Sequence, residues 1–169
     1  TCTAESTRTS SRSAATVYEF NPNTETFTEI FSTTATDGFW LDTPNTSNKN
    51  SHWLTDIEFT DENNMVLALA DRKGHRFCEG PGDILNDQQG DILLVANVNG
   101  QWTLENNGQV GGYQGSGVSN GQGPGGGEFF GQDFWLTDPN YHGETSLGSI
   151  YALPSTGTIV SAVFDPITD

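Results

Sequence analysis

Four stretches of the chain, residues 17–31, 53–70, 91–104 and 147–164, share one pattern: strand-forming residues, a polar turn, then more strand-forming residues. In the second, Leu54, Ile57 and Phe59 lead into Asp61-Glu62-Asn63-Asn64, and Met65-Val66-Leu67-Ala68-Leu69-Ala70 leads out. In the third, Ile92-Leu93-Leu94-Val95-Ala96 turns through Asn97-Val98-Asn99-Gly100 into Gln101-Trp102-Thr103-Leu104. Short strands recurring between Asn-, Asp- and Gly-bearing turns predict an all-β fold, whether sandwich, barrel or propeller. No window of ten or more residues carries the 3.6-residue apolar period, so no helix is expected.

The four stretches are not equivalent. Residues 53–104 supply four successive strands, at 54–59, 65–70, 91–96 and 101–105, which is the content of one antiparallel propeller blade. The first stretch, turning at Asn21-Pro22-Asn23-Thr24, matches the outer pair of such a blade. The last matches the inner pair: Thr55-Asp56-Ile57-Glu58-Phe59 resembles Leu147-Gly148-Ser149-Ile150-Tyr151, and residues 65–70 resemble 158–164. The expected fold is therefore antiparallel β-hairpins forming propeller-like four-stranded blades, with a β-sandwich as the alternative. Two blades cannot close a ring that takes roughly four to eight. The chain is then a slice of a longer propeller, a unit that associates with its own copies, or a compact sandwich.

Composition restricts the function. The 169 residues make one domain's worth of chain, and the formal net charge is −16 with only six Lys and Arg. Such a surface excludes a simple nucleic-acid binder, because phosphate neutralisation needs clustered cations, and it opposes binding to anionic membranes. No apolar run approaches the roughly 20 residues of a membrane helix. The acidic, Thr-, Asn- and Gly-rich balance points to an extracellular or cell-surface location. Cys2 and Cys78 form an even pair, and in that setting a disulfide would pin the N-terminal segment to the body.

Residues 1–16 carry nine Ser or Thr and read as a linker, an O-glycosylated stalk with Thr3, Thr7 and Thr9 as acceptors, or a strand donated to another sheet edge. Residues 17–169 form the single all-β domain. Within it, residues 32–52 are polar, with Phe39, Trp40 and Leu41 as a local anchor and Asn45-Thr46-Ser47 as an N-glycosylation triplet. Eleven of the 24 residues from Gly108 to Gly131 are glycine, which predicts either a mobile loop or a tightly appressed irregular one. Phe129, Phe130, Phe134 and Trp135 follow, tying that end to the core.

The segments Trp53-Leu54-Thr55-Asp56-Ile57-Glu58-Phe59 and Asn64-Met65-Val66-Leu67-Ala68-Leu69-Ala70-Asp71-Arg72 resemble the repeat unit of NHL-like propellers. Gly90-Asp91-Ile92-Leu93, residues 102–108, the glycine-rich residues 120–129 and Glu144-Thr145-Ser146-Leu147-Gly148 resemble large secreted bacterial surface proteins of adhesin type. The resemblance covers residues 17–166. It implies an extracellular location and a propeller-like fold within a longer chain, and it carries over no catalytic residues.

Candidate chemistry is sparse. Asp56, Asp61, Asp71, Asp83 and Asp91 are oxygen ligands at loop or strand-end positions that suit calcium. His52 with Asp56, and His142 with Glu144, stand at equivalent places near an inner strand and form the candidate transition-metal set. Trp40, Trp53, Trp135 and Tyr141 are candidates for stacking on sugar faces. Gly121-Gln122-Gly123-Pro124-Gly125-Gly126 matches Gly-x-Gly-x-x-Gly but opens no helix, so it does not read as a phosphate site. No strand-to-helix nucleophile elbow and no distinguishable glycosidase pair emerge. The reading is a non-enzymatic extracellular structural or adhesive protein. It assembles with copies of itself, head to tail, or with other segments of a longer chain. The alternative is a calcium-dependent or carbohydrate-binding module.

Overall fold

The computed structural model describes residues 15–33, 52–71, 90–117, 123–131 and 146–163. Among these residues the chain forms strands β1 (Ala15–Asn21), β2 (Thr26–Thr33), β3 (His52–Phe59), β4 (Met65–Asp71), β5 (Asp91–Val98), β6 (Gln101–Leu104), β7 (Gln109–Val110), β8 (Tyr113–Gln114), β9 (Ser146–Leu153) and β10 (Thr158–Val163). The fold is all-β and antiparallel throughout. Its one helical turn among the described residues is a 3₁₀ turn at Pro124–Gly126.

The organising unit is the four-stranded sheet β3-β4-β5-β6. At its centre Met65 lies opposite Val95, Leu67 opposite Leu93 and Ala68 opposite Ile92. Residues 65–70 of β4 and 92–96 of β5 are apolar at every position instead of alternating, the pattern of a sheet covered on both faces. One face, here the front, carries Met65, Leu67, Leu69, Leu93 and Val95 and packs against Ala15, Val17 and Phe31 of hairpin β1-β2. The back face carries Val66, Ala68, Ile92, Leu94 and Ala96 and packs against Val110 and Ile150, with Phe129, Phe130 and Ile159 alongside. Hairpin β9-β10 therefore covers the back, and the two terminal hairpins sandwich the central sheet.

Turn chemistry sets each hairpin. Asn99 and Gly100 join β5 to β6 with φ of 53° and 85°, the two-residue left-handed turn whose twist matches antiparallel strands. Val98, expected in the turn, belongs to β5. In the first hairpin the Asn21 side-chain oxygen accepts the Asn23 N–H at 2.9 Å, and Glu25 takes φ 54°. β1 begins at Ala15, so the Ser/Thr-rich segment gives way to sheet two residues before Val17.

Glu105 finishes the ladder where β6 ends. Its N–H donates to the Leu94 carbonyl at 2.9 Å, and its carboxylate accepts the Leu94 N–H at 2.8 Å. Both main-chain groups of Leu94 are thus satisfied by one buried residue.

Of the two alternatives for the glycine-rich segment, the described part takes the appressed form. The short hairpin β7-β8 turns at Gly111 and Gly112. Residues 123–131 then fold back on it, with the Phe129 carbonyl accepting the Ser116 N–H at 3.0 Å and the Gly117 N–H at 3.3 Å. A Cβ on Gly115 would collide with the Phe129 backbone, and one on Gly123 would lie 2.6 Å from the enclosed Glu128 carboxyl. Main chain packs on main chain at Gly115, and a carboxyl fills the space a side chain would need at Gly123.

Leu93→Ala should cost about 2–5 kcal/mol in a urea denaturation, as expected for a buried truncation. Phe27→Ala, at a 71% exposed site, should stay within about 0.5 kcal/mol. Equal losses at the two sites would contradict this core assignment.

Candidate assembly interface

The seam between the central sheet and β9-β10 is held by polar side chains from β3 and from the turn that follows it. Thr55 is the residue at which the β3-β4 register slips. Its hydroxyl lies 2.6 Å from the Gly148 carbonyl and 3.1 Å from the Ala68 carbonyl. The Asp56 carboxylate accepts the Ile57 N–H at 3.0 Å and, across the seam, the Ile150 N–H at 3.1 Å. Asp61, in the β3-β4 turn, accepts the Ser155 N–H at 2.5 Å. Gly148 takes φ 76°, and a Cβ there would collide with Thr55 Oγ1. The bulge, the hydroxyl and the glycine therefore form one fitted contact.

The registers show what the terminal hairpins are. Ile150 pairs with Ser161 as Ile57 pairs with Leu67, and Ala152 pairs with Ile159 as Phe59 pairs with Met65. Hairpin β9-β10 thus repeats β3-β4, with Leu147-Gly148-Ser149-Ile150-Tyr151-Ala152 on Leu54-Thr55-Asp56-Ile57-Glu58-Phe59. This is one residue away from the alignment by sequence character. The reason is that both ladders slip near their start, and ladder position, not composition, decides equivalence. Likewise Glu19 pairs with Thr28 and Phe20 with Phe27 as Ala96 pairs with Thr103 and Asn97 with Trp102. Hairpin β1-β2 repeats β5-β6, with Val17 at the Leu94 position and Tyr18 at the Val95 position.

All three units consequently face the same way. The back of β1-β2 lies on the front of the central sheet, and the front of β9-β10 lies on its back. β9 packs against β3 and β4, whereas β2 approaches β6. An open groove of about 590 Å³, lined by residues that include Glu29, Phe31, Trp102 and Leu104, separates β2 from β6. The outward face of β1-β2 exposes Tyr18, Phe20 and Phe27, with the two Phe rings 4.8 Å apart. The outward face of β9-β10 exposes Tyr151, Leu153 and Val160. Two apolar faces thus lie on opposite sides of the molecule. Tyr18, Phe20, Phe27, Tyr151 and Val160 are signals that sequence reading absorbed into the hairpins, since alternation alone does not say which face is covered.

Three of the five calcium candidates, Asp56, Asp61 and Asp91, have described side chains. Asp56 and Asp61 bind backbone N–H groups across the seam, and Asp91 is buried opposite Leu69. His52 and Asp71 pair across β3 and β4 by register, but their side chains lie outside the described residues, as does Asp83. Among the described residues no three His, Cys, Asp or Glu side chains cluster. Cys2, Cys78, Asn45, Thr3, Thr7, Thr9, Trp40, Trp135, Tyr141, His142 and Glu144 lie outside the described residues, as does the Trp53 side chain. Gly117-Val118-Ser119-Asn120-Gly121 has the Gly-x-Ser-x-Gly spacing. It follows the two-residue strand β8, and Ser119 lies outside the described residues, so it takes no assigned role. No described helix is long and apolar enough to cross a membrane.

Asp56→Ala should cost about 1–3 kcal/mol, because it strips an acceptor from the seam. Gly148→Ala should cost at least about 1–2 kcal/mol from its left-handed backbone alone. In both variants hydrogen exchange should accelerate across residues 146–163 while residues 91–104 keep their protection. Loss spread evenly over both regions would contradict a local seam.

No protein-family model and no solved structure matches the chain. Two curated proteins of Dictyostelium discoideum are similar. Colossin-B is 37% identical over 147 residues, which is 82% of this chain and 4% of that protein. Colossin-A is 30% identical over 176 residues, 91% of this chain and 2% of that protein. Neither is bacterial, so the bacterial setting draws no support from them. The chain is similar to a small fraction of proteins thousands of residues long.

Proposed function

We propose that this chain is a non-catalytic extracellular structural segment. Its incomplete terminal hairpins are completed by neighbouring β units, either copies of itself or other parts of a longer cell-surface chain. The observation carrying this reading is the uniform orientation of three stacked β units that leaves an apolar face exposed at each end. A stack whose front meets the back of the next unit has no internal reason to stop, because every added unit repeats the same contact. Similarity to a few per cent of two very long proteins accords with a unit used inside an extended structure. Adhesion, glycosylation of residues 1–16 or Asn45, and a Cys2–Cys78 disulfide belong to the same extracellular reading.

The acidic surface sets the conditions. Each copy carries a formal charge of −16, so association is opposed by repulsion that salt screens. In sedimentation velocity the chain should shift from an 18.2 kDa species to larger, open-ended species as its concentration rises. The shift should be greater at about 0.5 M than at about 0.05 M salt, where the screening length is several-fold longer. A single species of monomer mass over the whole range of concentration and salt would refute self-association.

A further inference from the structure

We propose that the terminal hairpins of two copies join edge to edge into one composite four-stranded sheet. In it, β10 of one copy pairs antiparallel with β1 of the next, placing Ser161 opposite Thr16 and Val160 opposite Val17. The inference rests on the self-associating reading above and gives it a register.

Three observations carry it. The two hairpins are complementary halves: β9-β10 repeats β3-β4, and β1-β2 repeats β5-β6. Joined, they would restore the order of the central sheet, whose own junction is β4 against β5. Among the described residues β10 pairs only with β9 and β1 only with β2, and no described strand occupies the edge that the junction needs on either. An open edge presents a row of N–H and C=O groups ready for another strand.

The register follows from the junction already present. Val66 lies opposite Leu94 and Leu67 opposite Leu93. Val160 holds the Val66 position and Val17 the Leu94 position. Ser161 holds the Leu67 position, and Thr16 the Leu93 position. Slipping by one residue would turn every side chain to the wrong face.

Packing then agrees with pairing. In the composite sheet Val160 and Tyr151 of the first copy join Val17 on the back, the face that Val17 already applies to the front of its own central sheet. Tyr18, Phe20 and Phe27 of the second copy join Ile150 and Ile159 on the front, the face already applied to the first copy's central sheet. Both exposed apolar faces are thereby covered by the same front-to-back contact that the molecule makes twice internally. The chain's own two ends cannot satisfy each other, because its hairpins lie on opposite faces of one sheet. The occupant is therefore a second copy, joined head to tail, and the contact does not close on itself.

The test uses the full chain with Cys2→Ser and Cys78→Ser and places one new cysteine in each of two variants, Thr16→Cys and Ser161→Cys. Opposed residues of an antiparallel pair lie about 4.5–5.5 Å apart at Cα, within disulfide range. Mixed and oxidised, the two variants should give a covalent heterodimer, with Tyr18→Cys against Ser161→Cys as the slipped control. A chain carrying both cysteines should give a ladder of multimers. Sedimentation of the parent separates the two claims. Association without the Thr16–Ser161 link overturns this junction and leaves self-association standing, whereas no association overturns both. A monomeric internal disulfide in the double variant also overturns it. Phe27→Glu and Tyr151→Glu, at exposed sites that leave the monomer's circular dichroism unchanged, should each weaken association about tenfold or more. Unaltered association in both would place the contact elsewhere.

Discussion

Every other contact leans on the pairing of β4 with β5. These two strands occupy the middle of the central sheet, and their apolar runs are enclosed on both faces. Two-sided enclosure is expensive to arrange, because a single sheet supplies no cover of its own. It obliges the chain to bring a second layer to each face. The terminal hairpins are those layers, and burying Leu67 and Leu93 on one side and Val66 and Leu94 on the other is what recruits them.

Recruitment on the two sides differs in kind. In front, hairpin β1-β2 is seated by apolar contact through Val17 and Phe31, and it stands away from β6 across an open groove. At the back, apolar contact through Ile150 is supplemented by Thr55, Asp56 and Asp61, whose oxygens reach main-chain groups of the opposite hairpin. Nondirectional burial brings layers together, and hydrogen bonds of fixed length set their register. The back seam is therefore defined to a single residue. Asp56 and Asp61, two of the five carboxylates that suit calcium by residue type, take part in that alignment.

The strands themselves were largely legible. Asn99-Gly100 demands a tight left-handed turn, and the unbroken apolar runs at residues 65–70 and 92–96 demand a doubly covered sheet. Even the likeness of each terminal hairpin to one half of the central sheet could be read from residue character, because equivalent ladder positions select similar side chains. The one-residue error in aligning residues 147–152 arose where the ladder slips at Thr55. A bulge changes register without leaving a mark in composition.

The sequence by itself determined the β class, the hairpin boundaries to within two residues and the acidic surface, since period, turn residues and charge are local properties. Only the tertiary structure decided which faces meet, why Gly148 must be glycine, that Asp56 and Asp61 are seam acceptors, and that Tyr18, Phe27, Tyr151 and Val160 remain uncovered. The roles of Gly148, Asp56 and Asp61 depend on residues more than ninety positions apart meeting at hydrogen-bond distance. No local pattern encodes such a meeting; it follows from how three twisted sheets stack.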